Sequence, residues 1–313
     1  MSLLEVKSLF VEFPSTEGSV KAVSGVSFDL KEGETFGIIG ESGSGKSVVG
    51  LSILRLLPAN ARISGSIYFA GKNLFSLNPS EMQDIRGKRI SLMPQNPAGA
   101  LNPTLKNGLQ VSEVFERRGI DRHEGMKQAL KLMKKLFLRN PEKICTLYPH
   151  QLSGGMQQRL IATISLSFEP ELLIADEPTK GLDPEAREGA IELFLKIKHE
   201  YGKTMLLITH DLNLAYEVCD RVAVMYAGEI VELDKASNLL QAPSHPYTKG
   251  LLQAQPRNGL IPLRGQSPSR IQLPEGCFFH ERCGNANAEC SKQHPEIKSY
   301  NGGKVRCHLL SLR

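Results

Sequence analysis

A chain of 313 residues, 41% hydrophobic and 23% charged with a net charge of +5, has room for one large folded domain with an appendage, or for two ordinary ones. This composition excludes a disordered chain, and the charge is mild and free of basic runs, which argues against a nucleic-acid surface. No stretch approaches the roughly 18 consecutive apolar residues of a membrane span, and MSLLEVKSLFVEF lacks the basic start and apolar core of a signal peptide. The expectation is a chain that stays in the cytosol and works at a membrane only through other, spanning subunits.

The first forty residues read as strands. LLEVKSLFVEF and VKAVSGVSFDL alternate with a period of two, and TFGIIG is a short apolar strand that feeds a glycine loop. A helix is expected from Gly45 to about Leu57, stopped by Pro58. RISGSIYFAG and RISLMPQ read as further strands. Between Asn96 and Pro149 the pattern changes to glycine and proline, then to helical spacing in MKQALKLMKKLFL, as in an inserted helical subdomain.

After Ser153 a helix runs to about Phe168, followed by the strand ELLIAD, the helix PEAREGAIELFLKIKHEY, the strand TMLLITH and a helix over Leu212 to Val218. Strands alternating with helices of this length imply a mostly parallel sheet. Beyond Pro243 proline, asparagine and glycine increase and periodicity fades, marking a loop-rich C-terminal appendage. No internal repeat is present.

Three motifs carry the chemistry. GESGSGKS, formed by Gly40, Glu41, Ser42, Gly43, Ser44, Gly45, Lys46 and Ser47, fits G-x-x-x-x-G-K-[ST] between an apolar strand and a helix start, with Val48 next on that helix. Glycines let backbone N–H groups turn toward phosphates, and the helix start adds partial positive charge. Lys46 supplies a point charge for the β- and γ-phosphates, and Ser47 a hydroxyl for magnesium. LLIADE delivers two carboxylates at a strand end: Asp176 to hold magnesium through water, Glu177 to polarise the attacking water as general base. Finally, LSGGMQQR places Ser153, Gly154 and Gly155 at a helix start whose N–H donors can seat a γ-phosphate, with Gln157 in the next turn. The chain's own phosphate loop already has a helix start, so this second one calls for a phosphate from a partner.

Together these residues resemble the ATP-binding cassette family over about residues 3–250. The resemblance implies an α/β P-loop NTPase core with an antiparallel β subdomain, an inserted helical subdomain at about 96–165 and an ATPase domain over 1–243. It makes Gln95, in MPQNP, the glutamine that senses magnesium and the attacking water, and His210, in ITHD, the switch histidine that contacts the γ-phosphate and Glu177. Phe13 takes the place of the aromatic that stacks on adenine, with Phe10 as its rival. One departure is clear. Where the family usually reads Ser-Ala-Leu-Asp after Glu-Pro-Thr, this chain reads Lys180-Gly181-Leu182-Asp183, keeping Asp183 but losing the serine that reaches across the dimer.

Two of the six cysteines, Cys145 and Cys219, stand alone and read as small core residues. Cys277, Cys283, Cys290 and Cys307 crowd the tail at intervals of five, six and sixteen residues, without the close pairs of a zinc ribbon. In a reducing compartment this reads as metal ligation before disulfides. Four thiolates suit a [4Fe–4S] cluster; zinc, with His280 and His308 as spare ligands, is the alternative, and four unligated thiols are a third outcome.

SHPYTKGLL and the tail GCFFHERC also resemble the ATPases of dipeptide, oligopeptide and nickel importers, some of which carry an iron–sulfur cluster, and make 244–313 an importer-type extension. The expected function is an ATPase subunit at the cytoplasmic face of the membrane. Its expected partners are a homologous ATPase in a head-to-tail dimer, identical or paralogous, two transmembrane permease subunits and, indirectly, an external solute-binding protein. A non-transport cassette ATPase of DNA repair or translation is the alternative; the chain lacks the long coiled coils of the former and the second cassette usual in the latter.

Overall fold

The computed structural model describes residues 2–256 and 259–312. Its elements in chain order are β1 (Ser2–Ser15), β2 (Gly18–Lys31), β3 (Thr35–Ile39), α1 (Lys46–Ile53), β4 (Arg62–Phe69), β5 (Lys72–Asn73), α2 (Pro79–Ile85) and β6 (Ile90–Met93). There follow α3 (Pro97–Ala100), α4 (Asn107–Arg117), α5 (Arg122–Lys135), α6 (Pro141–Thr146), α7 (Gly154–Leu166), β7 (Leu172–Asp176), α8 (Pro184–Tyr201), β8 (Thr204–Thr209) and α9 (Leu212–Val218). The chain continues through β9 (Arg221–Tyr226), β10 (Glu229–Lys235), α10 (Ala236–Gln241), α11 (Pro246–Gln253), α12 (Ala288–Lys292), β11 (Lys298–Tyr300) and β12 (Gly303–Val305). They fall into two compact units: Met1–Lys31 with Thr35–Ser76 and Thr209–Arg313, and Glu32–Glu34 with Leu77–Ile208.

In the first unit β1 and β2 form an antiparallel hairpin, and β4 and β5 complete a sheet in the order β2-β1-β4-β5. The alternation of β1 is interrupted rather than continuous. Leu4 and Val6 are buried, then Leu9 and Val11, a change of parity that would put the second pair on the wrong face of a regular strand. A bulge at Ser8, held at φ +46°, absorbs the extra residue. Opposite it lies Gly65, where any Cβ would collide with the Ser8 carbonyl. The second sheet of this unit pairs β3 in parallel with β9, then β9 with β10, β10 with β12 and β12 with β11 antiparallel. Buried Phe36, Ile38, Ile39, Val224 and Met225 give it a dry core from which the glycine loop emerges.

Helix α1 ends earlier than the sequence implies. It closes at Ile53, Arg55 takes φ +51°, and the Leu56 N–H returns to the Leu51 carbonyl at 2.9 Å. That capture stops the helix five residues before Pro58. The loop-rich tail also holds more regular structure than its composition implied. β12 pairs Val305 with Glu232 and so joins the sheet; three-residue strands are too short to show a period of two.

In the second unit β6, β7 and β8 run parallel, with Ile90 opposite Leu172 and Leu172 opposite Thr204. β7 and β8 are buried throughout, as their unbroken apolar runs require. Helices α4 to α7 form the helical part. In α5, Ala129 and Met133 face inward while Asp121 caps the helix by accepting from His123 and Glu124 N–H. Among the described residues no helix is long and apolar enough to cross a membrane.

Candidate active site

The first unit carries the phosphate loop. Fully buried β3 delivers Gly40 at φ +151°, where a Cβ would collide with the Met225 carbonyl, and Gly45 sits at φ +102°, where a Cβ would collide with the Ala22 carbonyl. Only glycine fits either position. Gly45 is the N-cap of α1, so Lys46, Ser47 and Val48 form the helix's first turn, where unpaired N–H groups and the helix dipole favour an anion. Lys46 is buried and folds over the loop, Nζ donating to the carbonyls of Gly40 at 2.8 Å and Glu41 at 3.0 Å. A Ser44 N–H to Glu41 carbonyl bond at 3.2 Å tightens the turn that contains Ser42 and Gly43. Ser44 Oγ is buried with no hydrogen-bond partner among the described residues, a polar atom left inside the loop.

Phe13, on β1, pairs with Val20 of β2, two residues from the Ala22 that abuts Gly45. Phe10 is 45% exposed, and its ring lies over Gly25. His210 follows β8 and is exposed; Asp211 then caps α9 by accepting from Asn213 and Leu214 N–H at 3.1 Å each.

The second unit brings the other sequence motifs to strand and helix ends. Asp176 ends β7 and is buried, and Glu177 follows, also buried, at φ +48°. That left-handed conformation is uncommon outside glycine. Glu177 N–H donates to the Ile208 carbonyl at 2.7 Å. Gln95 lies between β6 and α3, followed by Asn96, whose side chain caps α3 through Gly99 N–H. Ser153 is the N-cap of α7, accepting from Met156 N–H at 3.4 Å, so Gly154 and Gly155 are the open first turn. Gln157 is turned back: Nε2 donates to the Pro149 carbonyl at 2.9 Å and the Leu152 carbonyl at 3.3 Å, tying the signature loop to its own helix. Asp183 caps α8 by accepting from Ala186 N–H at 2.8 Å. The unusual Gly181 stands at φ +75°, a turn that glycine enters without strain.

Several residues on these motifs escaped sequence reasoning. Gln158, beside Gln157 in the signature, is buried and donates from Nε2 to the Pro178 carbonyl at 2.8 Å, bracing the segment after Glu177. In the first unit, Tyr247 of HPYT is fully buried, and its hydroxyl accepts Glu41 N–H at 3.0 Å. His245 shapes that motif, its Nδ1 accepting Tyr247 N–H at 3.0 Å at the start of α11. Burial pushes the His245 imidazole down to about 3, so it is neutral. Its own N–H and that of Ser244 are accepted by the buried Glu232 carboxylate. Arg282 and Arg270 also reach the loop. The sequence signal for His245 and Tyr247 is the HPYT string and for Arg282 the HERC string; Gln158, Glu232 and Arg270 carry none beyond their residue type.

The tail thiols are gathered but not into a site for one ion. Cys277 N–H donates to the Cys290 carbonyl at 2.7 Å, and a Cβ on Gly276 would collide with that same carbonyl. Cys277 is pushed up to about 11, first by burial and then by the charges of Cys290, Cys307 and Cys283. Yet among the described residues no group of three or more His, Cys, Asp or Glu stands where it could hold a metal ion. Of the spare histidines, His280 bonds the Cys277 carbonyl through Nδ1 at 2.8 Å, and His308 uses both ring nitrogens, on the Gln293 carbonyl at 2.8 Å and Glu289 at 3.3 Å. Cys219 is buried as a small core residue, and Cys145 is half-buried with its Sγ 3.9 Å from the Met133 sulfur.

Comparison with known proteins matches residues 23–180 to the family described as ABC transporter and residues 231–290 to the oligopeptide/dipeptide transporter C-terminal region. The dipeptide transport ATP-binding protein DppD of Bacillus subtilis is 44% identical over 321 residues, covering 99% of this chain and 96% of the relative. The oligopeptide transport ATP-binding protein OppD of Haemophilus influenzae is 38% identical over 315 residues, covering 99% and 97%. Among solved structures, a dimeric post-hydrolysis state of the ATP-binding cassette MJ0796 bound to ADP and Pi is similar at a TM-score of 0.66 and 31% identity, covering 74% of this chain and 98% of that one.

Proposed function

We propose a mechanism from one premise: this chain belongs to the ABC transporter family, and as its ATP-binding subunit it hydrolyses ATP to power peptide import through separate membrane-spanning subunits. The observation that carries the reading is the phosphate loop itself. Its support is two glycines that tolerate no side chain, a buried Lys46 and a Ser44 Oγ with no hydrogen-bond partner among the described residues, a set suited to an anion. Lys46 and the N–H groups at the head of α1 hold the β- and γ-phosphates, and Phe13 stacks on adenine. The hard oxygen donors of Ser47 and Asp176, with Gln95, suit magnesium, which would neutralise phosphate charge. Glu177 takes a proton from the attacking water, and His210 steadies the γ-phosphate.

In this reading residues 1–243 are the ATPase domain, with its helical subdomain at about 96–165, and 244–313 are the importer-type extension. Ser153, Gly154 and Gly155 complete the site of a second cassette, identical or paralogous, joined head to tail, with Asp183 at the junction and Gln157 holding the signature loop in shape. The subunit sits peripherally on the cytoplasmic face, coupled to two permease subunits and through them to a solute-binding protein. The test is reconstitution with the permeases in vesicles: peptide uptake should require ATP and stop with Glu177→Gln. ATP hydrolysis that proceeds while peptide is never moved would overturn it.

For the tail, the reading is a [4Fe–4S] cluster on Cys277, Cys283, Cys290 and Cys307. Its support is the sequence alone, four cysteines within one loop-rich tail; among the described residues no group of three or more ligands stands where it could hold a metal ion.

A further inference from the structure

The phosphate loop carries one carboxylate, Glu41, in a segment shaped to hold an anion. Left unopposed, a negative charge so near a triphosphate works against binding. Here it is opposed from the tail. Arg282 donates from Nη1 to Glu41 Oε2 at 3.0 Å and from Nη2 to Oε1 at 3.0 Å, a two-pronged pair in which the arginine side chain is only 6% exposed. Ser267 Oγ adds a bond to Oε2 at 3.1 Å.

The guanidinium is itself held in place. Its Nε donates to the Arg264 carbonyl at 2.8 Å, and it lies 5.6 Å from the Tyr226 ring centre and 5.8 Å from that of Phe279. Tyr226, Tyr247 and Phe279 pack on one another at centroid distances of 4.6, 5.2 and 5.4 Å. From that cluster the Tyr247 hydroxyl accepts Glu41 N–H. A second arginine works beside it: Arg270 Nη2 donates to the Gly43 carbonyl at 3.1 Å and the Ala22 carbonyl at 3.3 Å. Thus the Glu41 backbone, the Glu41 side chain and the Gly43 backbone are each bound by a residue between 247 and 282. All three lie ahead of the helix start at Lys46, where the dipole favours phosphate.

We propose that the C-terminal tail braces the phosphate loop for ATP, with Arg282 as a positioning residue that neutralises and immobilises Glu41 while Tyr247 holds the Glu41 backbone. The proposal rests on the ATPase reading of the loop. It joins HPYT and HERC in one role, since the first presents the hydroxyl and the second the guanidinium. Loss of Arg282 leaves a bare carboxylate beside the nucleotide, so the defect falls on ATP affinity more than on the chemical step, and removing that carboxylate repairs it. A purely structural role for Arg282 in folding the tail predicts no such repair.

The experiment measures ATP dependence of hydrolysis in the intact transporter for wild type, Arg282→Ala, Arg282→Lys, Glu41→Gln and the double variant Glu41→Gln/Arg282→Ala. Arg282→Ala should raise the half-saturating ATP concentration about tenfold with kcat within about twofold; Arg282→Lys, with a charge but no fork, should fall between. The double variant should return to within about threefold of wild type. An unchanged ATP requirement in folded Arg282→Ala overturns the proposal, and so does a double variant as impaired as the single. Should Arg282→Ala not fold, the double variant decides alone: near-normal ATP dependence supports the brace, and persistent loss or misfolding overturns it. Lys46→Ala is the separate control, because ATP binding that survives it refutes the reading of the loop and not the brace.

Discussion

Glu177 donates its backbone N–H to the Ile208 carbonyl at 2.7 Å while its own φ stands at +48°. The neighbouring strand therefore holds in place a backbone conformation that a residue with a side chain seldom adopts, and Gln158 supports the next residues through the Pro178 carbonyl. Strain of this kind persists where surrounding structure over-determines it, and here it sets the direction in which the carboxylate leaves β7.

Glu177→Gln keeps the shape and the backbone bond but removes the proposed base. ATP binding should remain, hydrolysis should fall by at least about 100-fold, and the variant should accumulate with ATP as a dimer, by light scattering, together with its natural partner chain. Turnover near the wild-type rate would exclude Glu177 as the base.

Gly45→Ala tests the loop from the backbone side. A methyl group there meets the Ala22 carbonyl and a φ of +102° that alanine resists. We expect a loss of about 1–3 kcal/mol in unfolding free energy and a failure to bind a fluorescent ATP analogue. Tight binding by the alanine variant would show that the loop does not need this shape.

The tail thiols have a chemical readout. Anaerobic purification should yield about four iron and four sulfide per chain with a visible absorption band, and Cys290→Ser should remove both. One zinc per chain with no sulfide is the opposite result and would replace the cluster.

His245 supplies a pH dependence with a definite sign. Buried, it takes a proton only at about 3 in the folded chain, against an ordinary 6.5. Between those values the unfolded chain binds the extra proton, so the stability present above 6.5 declines as pH falls, by up to about 1.4 kcal/mol per pH unit. His245→Asn retains an oxygen to accept Tyr247 N–H but does not titrate. Denaturant unfolding between pH 7 and pH 4 should show a shallower decline in the variant; parallel curves would refute the assignment.

Composition, periodicity and motif spacing determined β1 to β4, β6, the helix α5 and the elements from α7 to α9, with the phosphate-loop motif and the carboxylates at the end of β7, because each is written in consecutive residues with a local physical requirement. β5, α2, α3, α4 and α6 are too short or too irregular in pattern to have been read. Glycine at 40 and 45, an apolar run into Asp176 and serine ahead of two glycines need no distant partner to be read. Local pattern misled where an irregular contact intervened: the bulge at Ser8 reverses the parity of β1, and the Leu56 N–H ends α1 early.

Tertiary structure alone decided what the tail does to the loop. Arg282 and Glu41 lie 241 residues apart in the chain, and neither carries a signal that names the other. A charge pair leaves no periodicity, and a buried tyrosine hydroxyl looks in sequence like any other. Their meaning depends on which backbone atoms the folded sheet brings within 3 Å, and that is a property of packing, not of order along the chain.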